Sequence, residues 1–238
     1  MIACKYELRR VWHLSSILAL LAAVACSSPS APAPAPQLFK RSHMTMGSLV
    51  EVSAWSPSES AATEAFEHVF REFDRLDARL SVWKDDSDAS RINAAAGAAP
   101  VKVSGETLEV LSIAHDISAQ TGGKFDITFG ALAGIWKFDH DQDNTVPDRA
   151  AIEQRLPLVN YEDVIVDRAA GTAFIRKPGM RIHLGGIGKG YAVDRAVALL
   201  KQRGLGDFMI QFGGDLYVAG TNGGTPWKLG IADPRGNH

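Results

Sequence analysis

Six short apolar runs, each bounded by turn residues, follow one another through the second half of the sequence. Each is three to five residues long, which is typical of strands rather than helices. They occupy residues 164–166, 173–175, 181–184, 208–212, 216–219 and 227–231. One helical pattern, 191–203, interrupts them, so the strands are not separated one by one by helices as in a parallel sheet. The order predicts an α+β fold with mixed or antiparallel sheets and packed helices.

The first half of the sequence predicts one strand and two helices. Residues 49–55 alternate between apolar and polar, which suits a half-buried strand. The segment 56–59, Ser-Pro-Ser-Glu, matches a capping box with proline at the first helical position. An apolar stripe at three- and four-residue spacings then predicts a helix that packs on the core, carrying Phe66, Val69, Phe70, Phe73, Leu76 and Leu80. A second helix is expected from Ser104 to a glycine stop at 122–123.

Charge and cysteine content exclude several classes of function. The chain has 25 Lys and Arg against 27 Asp and Glu, so it lacks the basic excess that binding to a phosphate backbone requires. Nucleic acid is therefore not expected as a partner. Both cysteines, Cys4 and Cys26, lie near the start. Everything after Cys26 must fold without a disulfide, a thiolate metal cluster or a cysteine nucleophile.

Residues 1–26 predict a lipoprotein signal peptide. Basic residues precede an apolar run over 14–25, and small residues stand directly before Cys26. The stretch 21–26 resembles a bacterial lipobox in which Cys26 is lipidated, although Ala23 stands where leucine is more usual. An ordinary signal peptide with an incidental cysteine is the alternative, and either reading exports the protein. The expected location is lipid-anchored on the periplasmic side of a membrane, with the inner membrane favoured.

A spacer is expected between the anchor and the folded domain. Residues 27–40 are rich in Ala, Pro and Ser, and alternating Ala-Pro favours extended polyproline II that cannot form a core. The folded domain is then expected over residues 41–238.

The segment 181–194 carries the strongest chemical signal. A predicted strand runs into four glycines and Lys189 and then into a predicted helix. Glycines let backbone approach an anion, and a helix N-terminus donates free amides, so a pyrophosphate would fit here. The P-loop pattern fails because Gly190 follows the lysine, and the glycine spacing is not that of a dinucleotide fold. A tight structural turn with a solvated lysine is the competing interpretation.

Three further segments each allow a functional and a structural interpretation. Asp126, just after the predicted glycine stop, can orient a polar ligand or simply accept hydrogen bonds from local amides. Trp83 can stack on a flat ring or pack on the core, and taken alone it is more typical of core. The segment 213–215, Gly-Gly-Asp, can be only a hairpin turn between two strands.

Taken together, these segments resemble the motif series of the ApbE flavin transferases. In sequence order they are 45–48 (TMGS), 80–83 (LSVW) with 86–87 and 90–93 (SRIN), 123–128 (GKFDIT), 184–194 (LGGIGKGYAVD) and 212–215 (FGGD). One such motif is weak evidence, but five in register are specific. The similarity runs from about Met44 to Arg235.

The resemblance implies an FAD:protein FMN transferase with an ApbE-like fold. Such an enzyme takes FAD, releases AMP and attaches FMN through its phosphate to a Thr or Ser hydroxyl of an exported acceptor protein, with Mg²⁺ as the usual metal. Carried over by motif, the FAD site would be lined by Met46, Trp83, Lys124, Phe125, Asp126, His183 and Lys189. The main-chain carbonyl of Gly186 would be a metal ligand.

The sequence departs from the family pattern at three places. Ser48 stands where the family often has Thr, and His183 stands where many relatives carry Asp, which removes or reverses a charge. The family pattern also continues beyond residues 233–235 with a histidine proposed as a base and with an Asp and a Thr that complete the metal site. The sequence therefore predicts that the C-terminal part is missing, that the chain as given is inactive, and that a longer gene product is active.

Two alternative functions stay open at this point. A flavin-binding lipoprotein that performs no transfer would bind FAD without releasing AMP. A structural periplasmic lipoprotein, whose glycine turns are only turns, would not bind flavin.

Overall fold

The computed structural model describes residues 34–136, 144–231 and 235–236. Residues 1–33, with Cys26 and half of the predicted spacer, lie outside the described residues. The chain divides into two units, Met1–Ala35 and Pro36–His238, and almost all of the description below concerns the second. No helix in the described ranges is both long and apolar enough to cross a bilayer.

Seven strands and five α-helices make up the described ranges. The strands are β1 (Gln37–Thr45), β2 (Ser48–Ser56), β3 (Val101–Lys102), β4 (Val164–Asp167), β5 (Thr172–Ile175), β6 (Phe208–Phe212) and β7 (Asp215–Ala219). The helices are α1 (Glu59–Leu80), α2 (Asp88–Ala94), α3 (Gly105–Gln120), α4 (Arg149–Arg155) and α5 (Gly188–Gln202). Short 3₁₀ helices span Ile127–Leu132, Leu156–Leu158 and Tyr161–Asp163.

The strands form two antiparallel sheets. A four-stranded sheet has the order β1-β2-β6-β7, and a three-stranded sheet has the order β3-β5-β4. All pairings in both sheets are antiparallel. The predicted α+β class with antiparallel sheets and packed helices is confirmed.

One face of the four-stranded sheet carries the core. The alternation in β2 turns Val50, Val52 and Ala54 inward, where all three are fully buried. Helices α1 and α5 pack against each other and against this sheet. The predicted stripe of α1 is buried along its whole length, and the ring of Phe73 lies 5.0 Å from that of Phe212 on β6. The stripe is therefore core, as its spacing indicates.

Several predicted elements differ from the structure at their ends. Helix α1 is capped by Ser58, whose Oγ accepts a hydrogen bond from the Ala61 amide, and not by Ser56. Ser56 is buried at the end of β2 and bonds to the backbone of Ser58 instead. Strand β1 begins at Gln37, so residues 37–40, assigned to the spacer, pair with β2. Helix α5 begins three residues early, at Gly188 rather than at Tyr191.

Two of the six predicted strands are wrong. Residues 181–184 and 227–231 form no ladder within the described residues. Their apolar pattern is strand-like, but an apolar pattern cannot show whether a neighbouring strand is available. The other four runs correspond to β4, β5, β6 and β7.

Asp88 joins the short helix α2 to the N-terminus of α3. It is 1% exposed, and its Oδ2 accepts hydrogen bonds from the Ser104 amide at 2.9 Å and the Thr107 hydroxyl at 2.7 Å. Arg91 donates to its other oxygen. Burial favours the neutral acid, but the hydrogen bonds from Ser104, Thr107 and Arg91 outweigh it and lower the pKa of Asp88.

Asp88→Asn is expected to lower the free energy of unfolding near pH 7 by roughly 1–2 kcal/mol, because a buried hydrogen-bonded carboxylate is replaced by a partly mismatched amide. The folded-state pKa of Asp88 lies below that of an unfolded aspartate, about 3.9. Its stabilisation is therefore complete above the unfolded value and is lost as pH falls through the folded value.

Urea unfolding at neutral and acidic pH checks this. Acid should destabilise the wild type more steeply than Asp88→Asn. The exposed Asp116 on α3 provides the control, since Asp116→Asn should leave stability unchanged. Equal effects of the two substitutions would contradict the role given to Asp88.

Candidate active site at the glycine-rich turn

Two hairpin turns lie side by side at one end of the four-stranded sheet. The first joins β1 to β2 through Met46 and Gly47, whose φ angles are both positive, 47° and 69°. Two positive φ angles are typical of the two-residue turns that match the twist of a hairpin. The second turn, at Gly213 and Gly214, joins β6 to β7. Because β2 pairs with β6 in the register Val50↔Phe212, the two turns become neighbours.

Lys189 reaches this pair of turns from the first turn of α5. Its Nζ donates a hydrogen bond to Ser48 Oγ at 2.7 Å and lies 5.9 Å from the centre of the Phe212 ring. A methyl group added to Gly213 would lie 3.2 Å from the same Nζ. Three motifs far apart in the sequence therefore meet at one ammonium group.

The N-terminus of α5 has no side-chain cap. Its N-cap residue is Ile187, which cannot accept a hydrogen bond through its side chain. The first amides of a helix lack intrahelical partners, and the helix dipole favours negative charge there. An uncapped helix start beside a lysine is suited to an anion such as a pyrophosphate.

Thr45 adds a hydrogen-bonding position next to the first hairpin turn. Thr45 is 7% exposed, and within the described ranges its Oγ1 is buried without a hydrogen-bond partner. Such an atom in a native structure calls for a bound water or ligand group.

The backbone before the glycine turn packs against the 3₁₀ helix Ile127–Leu132. The His183 amide donates to the Ile127 carbonyl at 2.8 Å, and its ring centre lies 5.4 Å from that of Phe129. Phe125 lies against the turn itself, since a methyl group added to Gly186 would be 3.4 Å from its ring. Phe125 thus adjoins Gly186, and Phe129 adjoins His183.

His183 has a local role that its position in the motif does not reveal. Its Nδ1 accepts a hydrogen bond from the Gly185 amide at 3.1 Å. An aspartate can make the same bond to an amide two residues on. Histidine therefore supports the turn through a ring nitrogen, without the negative charge of a carboxylate.

Asp126 follows the structural interpretation. Its Oδ1 accepts from the Thr128 amide and hydroxyl, and its Oδ2 accepts from the Tyr161 amide at 2.9 Å. Both carboxylate oxygens therefore hold the 3₁₀ helix and the neighbouring loop in place. Asp126 therefore orders the chain between Phe125 and Phe129, and its part in the FAD site stays a prediction.

The two remaining predicted FAD-site residues are exposed. Trp83 is 71% exposed, so the core interpretation of its ring is wrong. Lys124 also faces solvent. Their part in a flavin site stays a prediction.

The described residues do not form a complete magnesium site. No group of three or more His, Cys, Asp or Glu side chains that could hold a metal lies within them. Gly186 is exposed in the turn, but one carbonyl cannot supply the near-octahedral oxygen coordination that Mg²⁺ requires.

Comparison with known proteins identifies the family. A model of the ApbE family matches residues 46–238, which include both hairpin turns, the glycine-rich turn and α5. The chain belongs to the ApbE family.

Relatives of known name and structure agree with this assignment. A FAD:protein FMN transferase from Klebsiella pneumoniae is 34% identical over 214 residues, covering 88% of this chain and 61% of that protein. The solved ApbE protein from Thermotoga maritima aligns with a TM-score of 0.75 and 30% identity, covering 85% of this chain and 65% of that one. An H257G mutant of the flavin transferase ApbE from Vibrio cholerae aligns with the same TM-score and 25% identity, covering 83% and 68% of the two chains. The chain spans about three fifths of the length of the curated relative it matches.

Three contacts of this ApbE site are not visible in the sequence. They are the bond from Lys189 to Ser48, the ring contact between His183 and Phe129, and a pair of bonds between Asn93 and Ile182. Ser48 and Asn93 stand in the quoted motifs, but residue type alone does not identify partners 141 and 89 positions away. Phe129 directly follows a motif and carried no signal of its own.

Proposed function

We propose that this chain belongs to an FAD:protein FMN transferase, which moves FMN from FAD to a Thr or Ser hydroxyl of an acceptor protein and releases AMP. The observation that carries the proposal is the meeting of Lys189 with both hairpin turns at the uncapped start of α5. FAD is expected to place its pyrophosphate there.

The chain's own residues would act mainly through charge and position. In the transfer, the acceptor oxygen bonds to the phosphorus of the FMN half, and the bond from that phosphorus to the oxygen shared with AMP breaks. AMP leaves with the bonding electrons, and the hydroxyl proton passes to a general base. Lys189 and the amides of α5 would neutralise the charge on the pyrophosphate oxygens, the main service a protein supplies in phosphoryl transfer.

The flavin and adenine rings of FAD would be bound by stacking on aromatic side chains. Phe125 lies beside Gly186 of the glycine turn, and Phe129, which is 42% exposed, lies beside the ring of His183. Their position supports stacking of one ring system of FAD on these side chains. Trp83 and Met46 would line the same ligand, as the motif series implies.

A flavin-binding protein without transfer activity is the second candidate. It is favoured by the lack of a carboxylate or histidine cluster for a metal within the described residues. Both candidates require FAD binding, and only the first requires AMP release.

Incubation of the chain as given, and of the product of its complete coding sequence, with FAD, Mg²⁺ and a flavin-acceptor protein tests the proposal. The transferase predicts AMP in solution and an acceptor that gains the mass of FMN, and loss of both on adding EDTA would support a role for Mg²⁺. FAD binding by both forms without either product would favour the second candidate. Absence of FAD binding would overturn both.

We also propose that the protein is exported and tethered through lipidated Cys26, with residues 27–36 as the spacer and exported proteins as acceptors. The support is the sequence pattern of residues 1–36 alone.

A further inference from the structure

Asn93, in the last turn of α2, binds the backbone of a single residue through both ends of its side chain. Its Nδ2 donates to the Ile182 carbonyl at 3.0 Å, and its Oδ1 accepts from the Ile182 amide at 2.7 Å. The opposite orientation of the carboxamide would place donor against donor and acceptor against acceptor, so the two bonds fix its orientation. A side chain here supplies the hydrogen bonds that a neighbouring strand would otherwise provide.

Ile182 is the first residue of the backbone segment that leads into the glycine turn and then into α5. Its side chain is 1% exposed in the core, and residues 181–184 have no strand partner in the described part of the chain. The next amide, of His183, bonds to Ile127, and the amide of Gly185 bonds to the His183 ring. The amides of Ile187 and Gly188 then bond to the Leu184 carbonyl as α5 begins.

Helix α2, which carries Asn93, is held in place by its N-terminal cap, by hydrogen bonds to α3 and by core packing. Ser87 caps it by accepting from the Ser90 amide at 2.9 Å, and Asp88 ties it to α3. Ile92, the neighbour of Asn93, is 1% exposed in the core. The position of the Asn93 carboxamide is therefore set by a packed helix and not by a mobile loop.

We propose that Asn93 is a positioning residue for the flavin pyrophosphate. It would act without touching the ligand, by holding Ile182 and with it the turn that presents the α5 amides and Lys189. The inference rests on the proposed function, since FAD is the ligand that the turn is expected to hold.

Asn93→Ala in the full chain is the first test, with Asn222→Ala as the matched control. Asn222 is also half-buried and also makes a long-range bond, accepting from Trp55 Nε1 at 3.0 Å, but it lies at the far end of the sheet from the glycine turn. We expect Asn93→Ala to weaken FAD binding roughly tenfold, as loss of two hydrogen bonds to a backbone segment implies. Asn222→Ala should change the affinity little at a similar melting temperature.

Asn93→Asp separates positioning from folding. Near neutral pH its carboxylate would face the Ile182 carbonyl, so FAD binding should weaken as in Asn93→Ala. Lowering the pH protonates this carboxyl and restores a donor, so its affinity should recover relative to wild type, whereas Asn93→Ala should not recover. Protonation of this carboxyl also restores stability of the fold, so the melting temperatures of both variants are measured over the same pH range. Recovery of affinity at pH values where both variants are fully folded then reports positioning rather than folding.

Amide hydrogen exchange distinguishes failure of the positioning role of Asn93 from failure of the proposed function. In Asn93→Ala the amides of Ile182, His183 and Gly185 should exchange at least several-fold faster, while those of β6 keep their protection. Unchanged exchange at these amides, or equal loss of FAD affinity in Asn222→Ala, would overturn the positioning role. Failure of the wild-type chain to bind FAD would instead overturn the proposed function.

Discussion

Lys189→Met is expected to weaken FAD binding by roughly 10- to 100-fold while leaving the fold intact. A charge-assisted hydrogen bond contributes roughly 1.5–3 kcal/mol, and 1.4 kcal/mol corresponds to a factor of ten in affinity. Met keeps most of the aliphatic length over the Phe212 ring but removes the ammonium group that Ser48 holds at 2.7 Å. The measurement is equilibrium titration with FAD at several salt concentrations.

Lys201→Met is a close control for this effect. Lys201 lies on the same helix, and its Nζ is 5.9 Å from the centre of the Tyr217 ring, the same distance as Lys189 from Phe212. It differs in lying in the last turn of α5, where no uncapped helix start adjoins it. We expect Lys201→Met to bind FAD as wild type does. The salt dependence of binding should become shallower in Lys189→Met alone. Equal affinities in the two variants would remove Lys189 from the site.

Gly130→Ala is expected to lower the free energy of unfolding by about 3 kcal/mol, the upper end of the cost typical of overpacking. Gly130 is buried in the 3₁₀ helix and its φ is not positive, so alanine is allowed by backbone conformation. The difficulty is space, because an added Cβ would lie 2.7 Å from the Arg181 carbonyl oxygen and 2.9 Å from the Ile182 carbonyl carbon. These are backbone atoms, so they cannot turn aside as a side chain can.

Gly105→Ala is the matched control for the size of the added group. Gly105 opens α3, and a Cβ there meets nothing within 4 Å. Alanine should leave stability unchanged or raise it slightly, since it restricts the unfolded chain. Urea unfolding of both variants checks the contrast. FAD affinity should also fall in Gly130→Ala, because the displaced segment leads into the glycine turn. Equal stability of the two variants would mean that the two segments can separate at little cost.

The elements that sequence reasoning located correctly are those with strong local signals. The apolar stripe of α1 and the start of α3 at Ser104 depend on residues within a few positions of one another. Four short strands also stood out through apolar residues between turns. Residues 181–184 have the same apolar pattern but do not form a strand. The backbone of Ile182 is hydrogen-bonded by the side chain of Asn93, which lies on a helix.

Some residues of the candidate site were also recognisable from local sequence, whereas others required the structure. The glycine run and Lys189 are recognisable because residue type and order alone suggest a turn that accepts an anion. Asp126 and Trp83 could not be resolved from residue type, since a carboxylate that supports a loop and one that binds a ligand look alike in sequence. In the structure both carboxylate oxygens of Asp126 accept local hydrogen bonds, and Trp83 lies outside the core. The part of each residue in ligand binding stays a prediction.

By itself, the sequence determined the α+β class and the main helices, and it predicted an anion at the glycine turn, because these follow from periodicity and side-chain chemistry over short stretches. The tertiary structure alone decided which distant residues meet. The register of β2 against β6 places two hairpin turns together, and the packing of α5 on the sheet carries Lys189 to Ser48. Contacts of this kind depend on the free energy of the whole packed core, which no local pattern encodes.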